Sequence, residues 1–362
     1  MKKSILLIGL AALIASCSDD DRNNDTDNQH LVSPSMAVSI SNTNGRQSPF
    51  TGILTIMPCD ANSSIYYGNY VKGKLSPFYG YYRVKDGSFH DNSINREISL
   101  PIGTYNMIYW GTPQYQTPIY AHPAIKEAAH SIGADMSKQS LGLFRMSADT
   151  IYYPVFDLVY ATQPVNIGSE SLRGSLKRVV AGIKVVLKDK DNAVLSSSID
   201  SVAVRITNIY SELNYYTGKP QGTPRTIAFP LIRSNDGTQM SNSTVMLFPS
   251  AGKPEFQLAI ILKNGNVKSF RQALSSPLDA NAKLTLTLSL GDIFSEESSG
   301  DFTVDDWNEK NENIDIPIIV ENPLKVVPLI HSNLTPVKFS HSPFCLFLFS
   351  SYSSCPLCRV LH

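Results

Sequence analysis

Side chains that commonly catalyse reactions or bind metals are few and poorly spaced in this chain of 362 residues. His122 and His130 are eight residues apart, a spacing that familiar zinc and copper sites do not share. Cys355 and Cys358 form a C-x-x-C pair, but a zinc ribbon needs a second pair and a redox motif needs a βαβ context. Nucleophile-elbow, metalloprotease, phosphate-loop and dinucleotide motifs are missing from the sequence. The sequence therefore predicts no catalytic residue, no metal site and no cofactor.

Carboxylates and aromatic residues raise two further kinds of chemistry. Asp301, Asp305 and Asp306 precede Trp307, and paired carboxylates beside an aromatic ring are typical of carbohydrate hydrolysis. Neighbouring acids and asparagines favour a solvated loop instead. Residues 66–82 are rich in tyrosine, which suits either stacking on sugars and protein partners or packing in a sheet with the hydroxyls at its rim. The sequence favours packing.

One cysteine has a defined chemistry because of the residues that precede it. Two lysines and an uncharged apolar stretch at 4–14 lead into Ile14-Ala15-Ser16-Cys17. The apolar stretch is too short to span a bilayer, so residues 1–16 are predicted to be a secretory signal peptide. The small residues before Cys17 resemble the lipobox of bacterial lipoproteins, which implies a lipid on the sulfur of Cys17. The alternative is a secreted protein whose cleavage site lies beside an ordinary cysteine.

The residues after this cysteine predict an acidic tether. Ser18-Asp19-Asp20-Asp21 resembles the acidic surface-export signal of Bacteroidetes lipoproteins, which implies a surface-exposed position on the cell outer membrane. The following stretch to His30 contains no apolar side chain and cannot offset the entropy lost on ordering. We therefore expect residues 17–34 to form a disordered tether.

The bulk composition limits the partners and the number of domains. The chain has 31 basic and 31 acidic residues and no net charge, so no electrostatic field attracts nucleic acid. Without its signal peptide it has roughly 346 residues, more than one core usually organises, so two domains are expected. Cys59 is the one cysteine between Cys17 and Cys345, which predicts a core without a disulfide.

Short runs rich in β-branched and aromatic residues, separated by turn-forming residues, predict an all-β chain. The candidate strands are 52–57, 78–84, 97–100, 104–110, 155–161, 179–187, 201–206, 245–248, 256–262, 283–290 and 314–320. The run at 283–290 alternates most regularly and predicts leucines inward and Lys283, Thr285, Thr287 and Ser289 outward. Asp-Gly pairs at 86–87 and 236–237 predict tight turns, and only residues 123–136 suggest a helix.

The domain boundary is predicted in the Gly/Ser/Glu stretch at 166–171. This gives an N-terminal β-sandwich domain at 35–168 and a C-terminal one at 169–321. Residues 322–362 contain no acidic side chain and include the cluster FCLFLF. Because an exposed cluster of this kind promotes aggregation, we interpret this atypical tail as frameshifted or disordered.

Five short segments resemble the Bacteroidetes fimbrillin superfamily, in particular its minor-subunit and anchor branch. They are Leu100-Pro101-Ile102-Gly103-Thr104-Tyr105, Asp157-Leu158-Val159-Tyr160-Ala161, residues 176–185, residues 278–286 and Trp307. The resemblance covers roughly residues 50–320. It implies two tandem transthyretin-like β-sandwich domains and a non-enzymatic fimbrial subunit that assembles by β-strand exchange.

The resemblance also implies partners and a candidate processing site. The expected partners are other fimbrial subunits, the outer membrane through the lipid anchor, and host or bacterial surface ligands. Stalk subunits of the superfamily lose an N-terminal strand after cleavage at an arginine, and Arg46 lies in a suitable loop. An anchor subunit would instead keep Cys17 and its lipid.

A different class of function stays open at this point. Exposed aromatic platforms, with Trp110 and Trp307 as the candidates, would suit a surface glycan-binding lipoprotein of a polysaccharide-utilisation system. Retardation of the chain by a polysaccharide, lost on mutation of Trp110 or Trp307, would favour the glycan-binding hypothesis over the fimbrial one.

Overall fold

A computed structural model describes residues 30–41, 45–78, 81–90, 98–113, 125–126, 131–146, 150–290 and 308–313. Within these ranges the chain is almost entirely β-strand, with one short 3₁₀ helix. The all-β prediction is confirmed, and the strands form several sheets of the sandwich class. No helix in these ranges is long and apolar enough to cross a membrane. The predicted strand at 314–320 and the tail at 322–362 lie outside the described residues.

The strands are numbered in chain order. Those before residue 155 are β1 (Leu31–Val32), β2 (Met36–Ser41), β3 (Gln47–Pro49), β4 (Gly52–Asp60), β5 (Asn69–Val71), β6 (Lys74–Ser76), β7 (Tyr82–Lys85), β8 (Ser88–Phe89), β9 (Leu100–Pro101), β10 (Gly103–Thr112), β11 (Ile125–Lys126), β12 (Ser140–Leu143) and β13 (Ile151–Tyr152). Those after it are β14 (Val159–Ile167), β15 (Leu172–Arg178), β16 (Ala181–Asp189), β17 (Ile199–Ile209), β18 (Glu212–Asn214), β19 (Pro220–Gln221), β20 (Arg225–Arg233), β21 (Gln239–Ser241), β22 (Val245–Leu247), β23 (Glu255–Leu262), β24 (Val267–Ala273), β25 (Ala282–Leu290) and β26 (Asn308–Asn313). The 3₁₀ helix spans Met136–Lys138.

The first sheet has eight strands in the order β3-β2-β15-β14-β10-β4-β7-β8. Its central strand, β10, pairs antiparallel with β14 on one side and with β4 on the other. The tight turn predicted between β7 and β8 is confirmed, because Asp86 and Gly87 both have positive φ, at 50° and 81°. These values are those of a type I′ turn, whose twist matches that of the flanking strands.

Strand β10 is buried on both faces of the first sheet. Met107 and Tyr109 belong to one hydrophobic core, whereas Ile108 and Trp110 belong to the other. Successive side chains of a strand point to opposite faces, so a strand between two cores must be apolar at consecutive positions. This explains why β10 carries an unbroken apolar run rather than a regular alternation.

The second sheet runs β24-β23-β17-β20-β21-β16-β25-β26, with β13 beside β20 and β22 beside β16. Strand β20 pairs along β17 but meets β21 only at Ile232 and Arg233. Val204 of β17 and Leu286 of β25, which lie on opposite sides of this junction, contribute to one hydrophobic core. The two parts of the sheet therefore share their inward face, as the layers of a sandwich do.

Two local predictions are wrong. Ile125 and Lys126 form a strand that pairs with β12, not a helix, because tertiary pairing overrides the helical propensity of this segment. The polar side chains Lys283, Thr285 and Thr287 are buried, not exposed. Strand β25 lies between β16 and β26 and is parallel to both, an arrangement in which strands are commonly covered on both faces.

Two strands belong to sheets on the other side of the predicted domain boundary at 166–171. Strand β15, which begins after the predicted boundary, belongs to the first sheet and pairs with β14 and β2. Strand β13, which precedes the boundary, pairs with β20 of the second sheet. The bounds 35–168 and 169–321 stay a prediction, while the strand order places the change of sheet between β15 and β16.

A buried ion pair lies at this change of sheet. Arg178 donates from Nε to both carboxylate oxygens of Asp157, at 3.0 and 3.1 Å. Both side chains are largely buried, and burial raises the pKa of Asp157 while the guanidinium opposes the rise. Beside the pair, the Val179 amide donates to the Leu158 carbonyl. Two of the segments that carry the superfamily resemblance therefore meet here.

Replacing Asp157 with alanine should destabilise the protein by about 3 kcal/mol, because it removes the carboxylate from a buried guanidinium. The double variant Asp157→Leu/Arg178→Met removes both charges and should recover most of that loss. Chemical denaturation of the three proteins measures the effect. A double variant as unstable as Asp157→Ala would contradict this account of the pair.

The carboxylate of Asp135 fixes the loop before the 3₁₀ helix. The Asp135 carboxylate accepts hydrogen bonds from the Ser137 amide at 3.0 Å, the Ser137 hydroxyl at 2.6 Å and the Ser64 hydroxyl at 2.7 Å. These bonds, the one from the Ser137 hydroxyl foremost, lower the pKa of Asp135 from 3.8 to about 2. The ionised carboxylate therefore holds the loop against the end of β4.

The stabilisation from Asp135 should be lost in acid. A pKa lowered by folding gives stability that is present above 3.8 and disappears as the pH falls towards 2. The difference in free energy of unfolding between the wild type and Asp135→Asn should therefore shrink over that interval, as measured by urea denaturation at a series of pH values. A difference that does not change with pH would contradict the prediction.

Candidate functional site

Arg46, the predicted processing site, is exposed and directly precedes β3. The other predicted site residues, Cys17 and the acidic segment Ser18-Asp19-Asp20-Asp21, lie outside the described residues. A cut after Arg46 would separate β1 and β2 from the rest of the chain. The site is therefore best understood from how these strands are held.

Strand β2 is an internal strand of the first sheet. It pairs antiparallel with β3 and parallel with β15, with Met36 opposite Leu172 and Ile40 opposite Leu176. This parallel pairing joins residues more than 130 positions apart in sequence. Removing β2 would leave β15 with an unpaired edge, and such an edge is a template for another strand.

The inward face of β2 is apolar. Met36 and Val38 are buried, and Ile40 packs against the same core. Gly174 makes room for this face, because a Cβ atom at that position would lie 3.2 Å from Val38 Cγ1 and 3.7 Å from the Tyr109 ring. Strand β2 therefore fills a cleft in the core as well as a position in the sheet.

Serine and glutamine side chains line the outer face. Ser35 Oγ lies 2.8 Å from Ser171 Oγ, and Ser41 Oγ lies 2.9 Å from Ser175 Oγ. Gln47 bridges the strands, since it accepts from the Ser39 hydroxyl and donates to Ser175 Oγ. These bonds fix the register of β2 against β15 without any charged group.

Backbone hydrogen bonds clamp the middle of β2 to the β7–β8 turn. The Val38 amide donates to the Gly87 carbonyl at 2.9 Å, and the Val38 carbonyl accepts from the Phe50 amide at 3.1 Å. Gly87 has φ +81°, and a Cβ atom there would lie 2.8 Å from the Val38 oxygen. Only glycine allows the turn to approach β2 this closely.

The described residues contain no group of three or more histidine, cysteine or acidic side chains that could hold a metal. Cys59 is a buried free thiol whose pKa is raised to about 12, mainly by burial, so it stays protonated. His122, His130 and the acidic cluster before Trp307 lie outside the described residues.

Of the two tryptophans proposed as glycan-binding platforms, Trp307 lies outside the described residues and Trp110 is not exposed. Its side chain is 4% exposed and donates from Nε1 to the Tyr215 carbonyl at 2.9 Å. Its ring also packs against Tyr160, with 4.8 Å between ring centroids. In the tyrosine-rich stretch, Tyr66 and Tyr82 are buried, as the packing interpretation predicts.

The described residues form an all-β architecture in which the N-terminal strand β2 is seated between β3 and β15. The family model of the fimbrillin-A associated anchor proteins Mfa1 and Mfa2 matches residues 29–313, and the chain belongs to that family. The resemblance stated from the sequence is thereby confirmed. The family places the chain among fimbrial proteins of the cell surface.

The chain is also similar to several solved structures, at low sequence identity. The fimbrial anchor protein Mfa2 from Porphyromonas gingivalis is 15% identical, with 70% of this chain and 89% of that chain covered and a TM-score of 0.43. A candidate adhesin from Bacteroides ovatus is 10% identical, with coverages of 76% and 95% and a TM-score of 0.46. A candidate polysaccharide-binding protein from Bacteroides thetaiotaomicron is 12% identical, with coverages of 73% and 95% and a TM-score of 0.45. Among curated proteins, none matches the chain.

Sequence reasoning missed most of the residues that hold β2. The alternation of Met36, Val38 and Ile40 was the available signal for the strand itself. Its partner β15 carries the sequence LRGSLKR, which has too few apolar residues to indicate a strand. Such a parallel pairing between distant segments leaves no local pattern in either of them.

Val38 should contribute more to the free energy of unfolding than its exposed neighbour Ala37. Val38→Ala removes two buried methyl groups and should cost about 2 kcal/mol. Ala37→Ser, on the exposed face, should change the free energy of unfolding by less than about 0.5 kcal/mol. Denaturation gives both values, and faster hydrogen exchange at the residue 38 amide should accompany only the first change. Equal effects of the two substitutions would contradict the cleft described here.

Proposed function

We propose that this chain is a non-enzymatic outer-membrane lipoprotein that acts as a fimbrial subunit of the anchor or minor type. Cys17 carries the lipid, the acidic segment Ser18-Asp19-Asp20-Asp21 directs export, and residues 22–30 lead into the first described strand. Membership of the anchor-protein family supports this function. The observation that carries it is the seating of β2 between β3 and β15.

The position of β2 links the anchor to the fold. In the uncut chain the lipid on Cys17 would be joined to the protein through β1 and β2. Strand β2 is hydrogen-bonded on both sides and buries its apolar face, so a pull on the tether would act on a firmly held strand. An anchor needs this arrangement, because its load is transmitted along the chain.

Cleavage after Arg46 would convert the same site to a second use. The cut would separate the lipid and strand β2 from the fold together, leaving an open apolar cleft and the free edge of β15. A strand from another subunit could then pair with that edge, with backbone bonds giving affinity and alternating side chains giving register. Cleavage at Arg46, or its absence, would therefore decide whether the chain is a polymerising subunit or an anchored one.

The mature N-terminus of the surface protein tests the proposal. Mass spectrometry of the chain from intact cells should find a lipidated residue 17, and Cys17→Ala should release the protein from the outer membrane. Arg46→Ala should leave the anchored chain unchanged, as should Arg173→Ala, its matched control at an exposed position of β15.

Two outcomes would contradict the anchor assignment. A mature chain that starts at Gln47, with Arg46→Ala blocking its formation, would identify a processed stalk subunit instead. Retardation of the chain by a polysaccharide in affinity electrophoresis, without recovery of fimbrial subunits from intact cells, would favour the glycan-binding hypothesis.

A further inference from the structure

The two-stranded hairpin formed by β5 and β6 exposes apolar and basic side chains together. Val71 is 45% exposed and Leu75 is 38% exposed. Between them lie Lys72, Gly73 and Lys74, all of which are also exposed. Singly exposed apolar side chains are ordinary on a protein surface, so what distinguishes this hairpin is that two of them flank two exposed lysines at one tip.

The apolar side chains lie on opposite faces of the hairpin. Val71 pairs with Lys74, and Tyr70 pairs with Leu75. Because successive residues alternate in direction, each face of the hairpin ends in one exposed apolar side chain. A flat docking surface would need both on one face, whereas a tip that enters an apolar layer needs them on both.

The charge of this region has one sign. Between Asp60 and Asp86 the sequence contains four basic residues and no acidic one. Two of the four, Lys72 and Lys74, are at the hairpin tip, and the described residues provide no acidic partner for either. The tip therefore complements an anionic partner.

The turn itself retains a lysine where the backbone disfavours one. Lys72 and Gly73 have φ of 52° and 76°, the type I′ geometry in which asparagine followed by glycine is preferred. A lysine with positive φ is strained. Strain kept at an exposed position points to a use for the side chain.

The hairpin lies beside the point where the N-terminal segment enters the fold. The Tyr70 amide donates to the Ser99 carbonyl at 3.0 Å, and the Ser99 amide donates to Asn69 Oδ1 at 2.8 Å. The next residue, Leu100, pairs with Val32 of β1. The proposed lipid on Cys17 is 13 peptide links from His30, and a chain of that length spans at most about 45 Å.

We propose that the β5–β6 hairpin docks on the anionic lipid surface to which the chain is tethered, with Val71 and Leu75 entering the interface and Lys72 and Lys74 contacting acidic headgroups. This inference rests on the proposed lipid on Cys17. The lipid alone would leave the protein free to rotate on its tether. The hairpin adds a second contact at the same end of the fold and fixes the orientation of the first sheet relative to the membrane.

Amine modification at single lysines tests the proposal on the full chain isolated from cells. The chain is mixed with phosphatidylcholine vesicles that contain phosphatidylglycerol, and the extent of acetylation is read for each lysine by mass spectrometry. Lys72 and Lys74 should react about fivefold more slowly than without vesicles, the effect expected for a lysine held at an anionic surface. Exposed Lys190 and Lys263, in the turns after β16 and β23, should be unaffected, and 1 M salt should reduce the protection because it screens the charges.

A matched pair of variants separates charge from folding. Lys72→Asn keeps and even favours the turn but should reduce protection of Lys74 about fivefold. Lys72→Arg should preserve it, and Lys190→Asn, which removes a charge from another exposed turn, should have no effect.

Two results would overturn the proposal. The first is protection at the hairpin no greater than that of Lys190 and Lys263. The second is protection that needs no vesicles and is lost when Asp19, Asp20 and Asp21 are changed to asparagine, since the occupant would then be the acidic segment. The mass of the mature N-terminus reports separately on the lipid, so a failure at Cys17 is distinguishable from a failure of the hairpin contact.

Discussion

Strand β10 is buried on both faces, and the rest of the described structure is arranged around this constraint. Tyr109 faces the core under which β2 and β15 lie, and Trp110 faces the core that the second sheet completes. A strand with no solvent-exposed face is stable only if both cores form. The cleft that holds β2 and the junction between the sheets are therefore coupled through one element rather than built independently.

The N-terminal strand combines two properties that are usually separate. It is chemically ordinary, with apolar residues inward and serines outward, and it is held by backbone and hydroxyl bonds rather than by ion pairs. It also lies between a predicted lipid anchor and an exposed arginine. Under the proposed function, the same strand would transmit load when the chain is intact and leave an open cleft when the chain is cut.

The fold class is predictable because runs rich in β-branched and aromatic residues, separated by turn-forming residues, are local signals, and they predict β4, β10, β17, β23 and β25. The errors have a common physical origin. Lys283 and Thr285 were expected in water because alternation specifies two faces but not what covers the second one. Residues 125–126 were expected in a helix because their strand partner, β12, is specified only by the tertiary fold. Trp110 gave no local sign that its ring lies against Tyr160 and Tyr215.

The sequence by itself determined the all-β class and the family, and it predicts a lipid on Cys17, since each of these depends on residue types within a short span. Only the tertiary structure decided that β2 pairs parallel with β15 and that the lysine-tipped β5–β6 hairpin lies next to the strand pair of β1 and β9. These are contacts between segments far apart in the chain. Hydrogen bonds between backbones carry no side-chain signature, so no pattern in either segment specifies its partner.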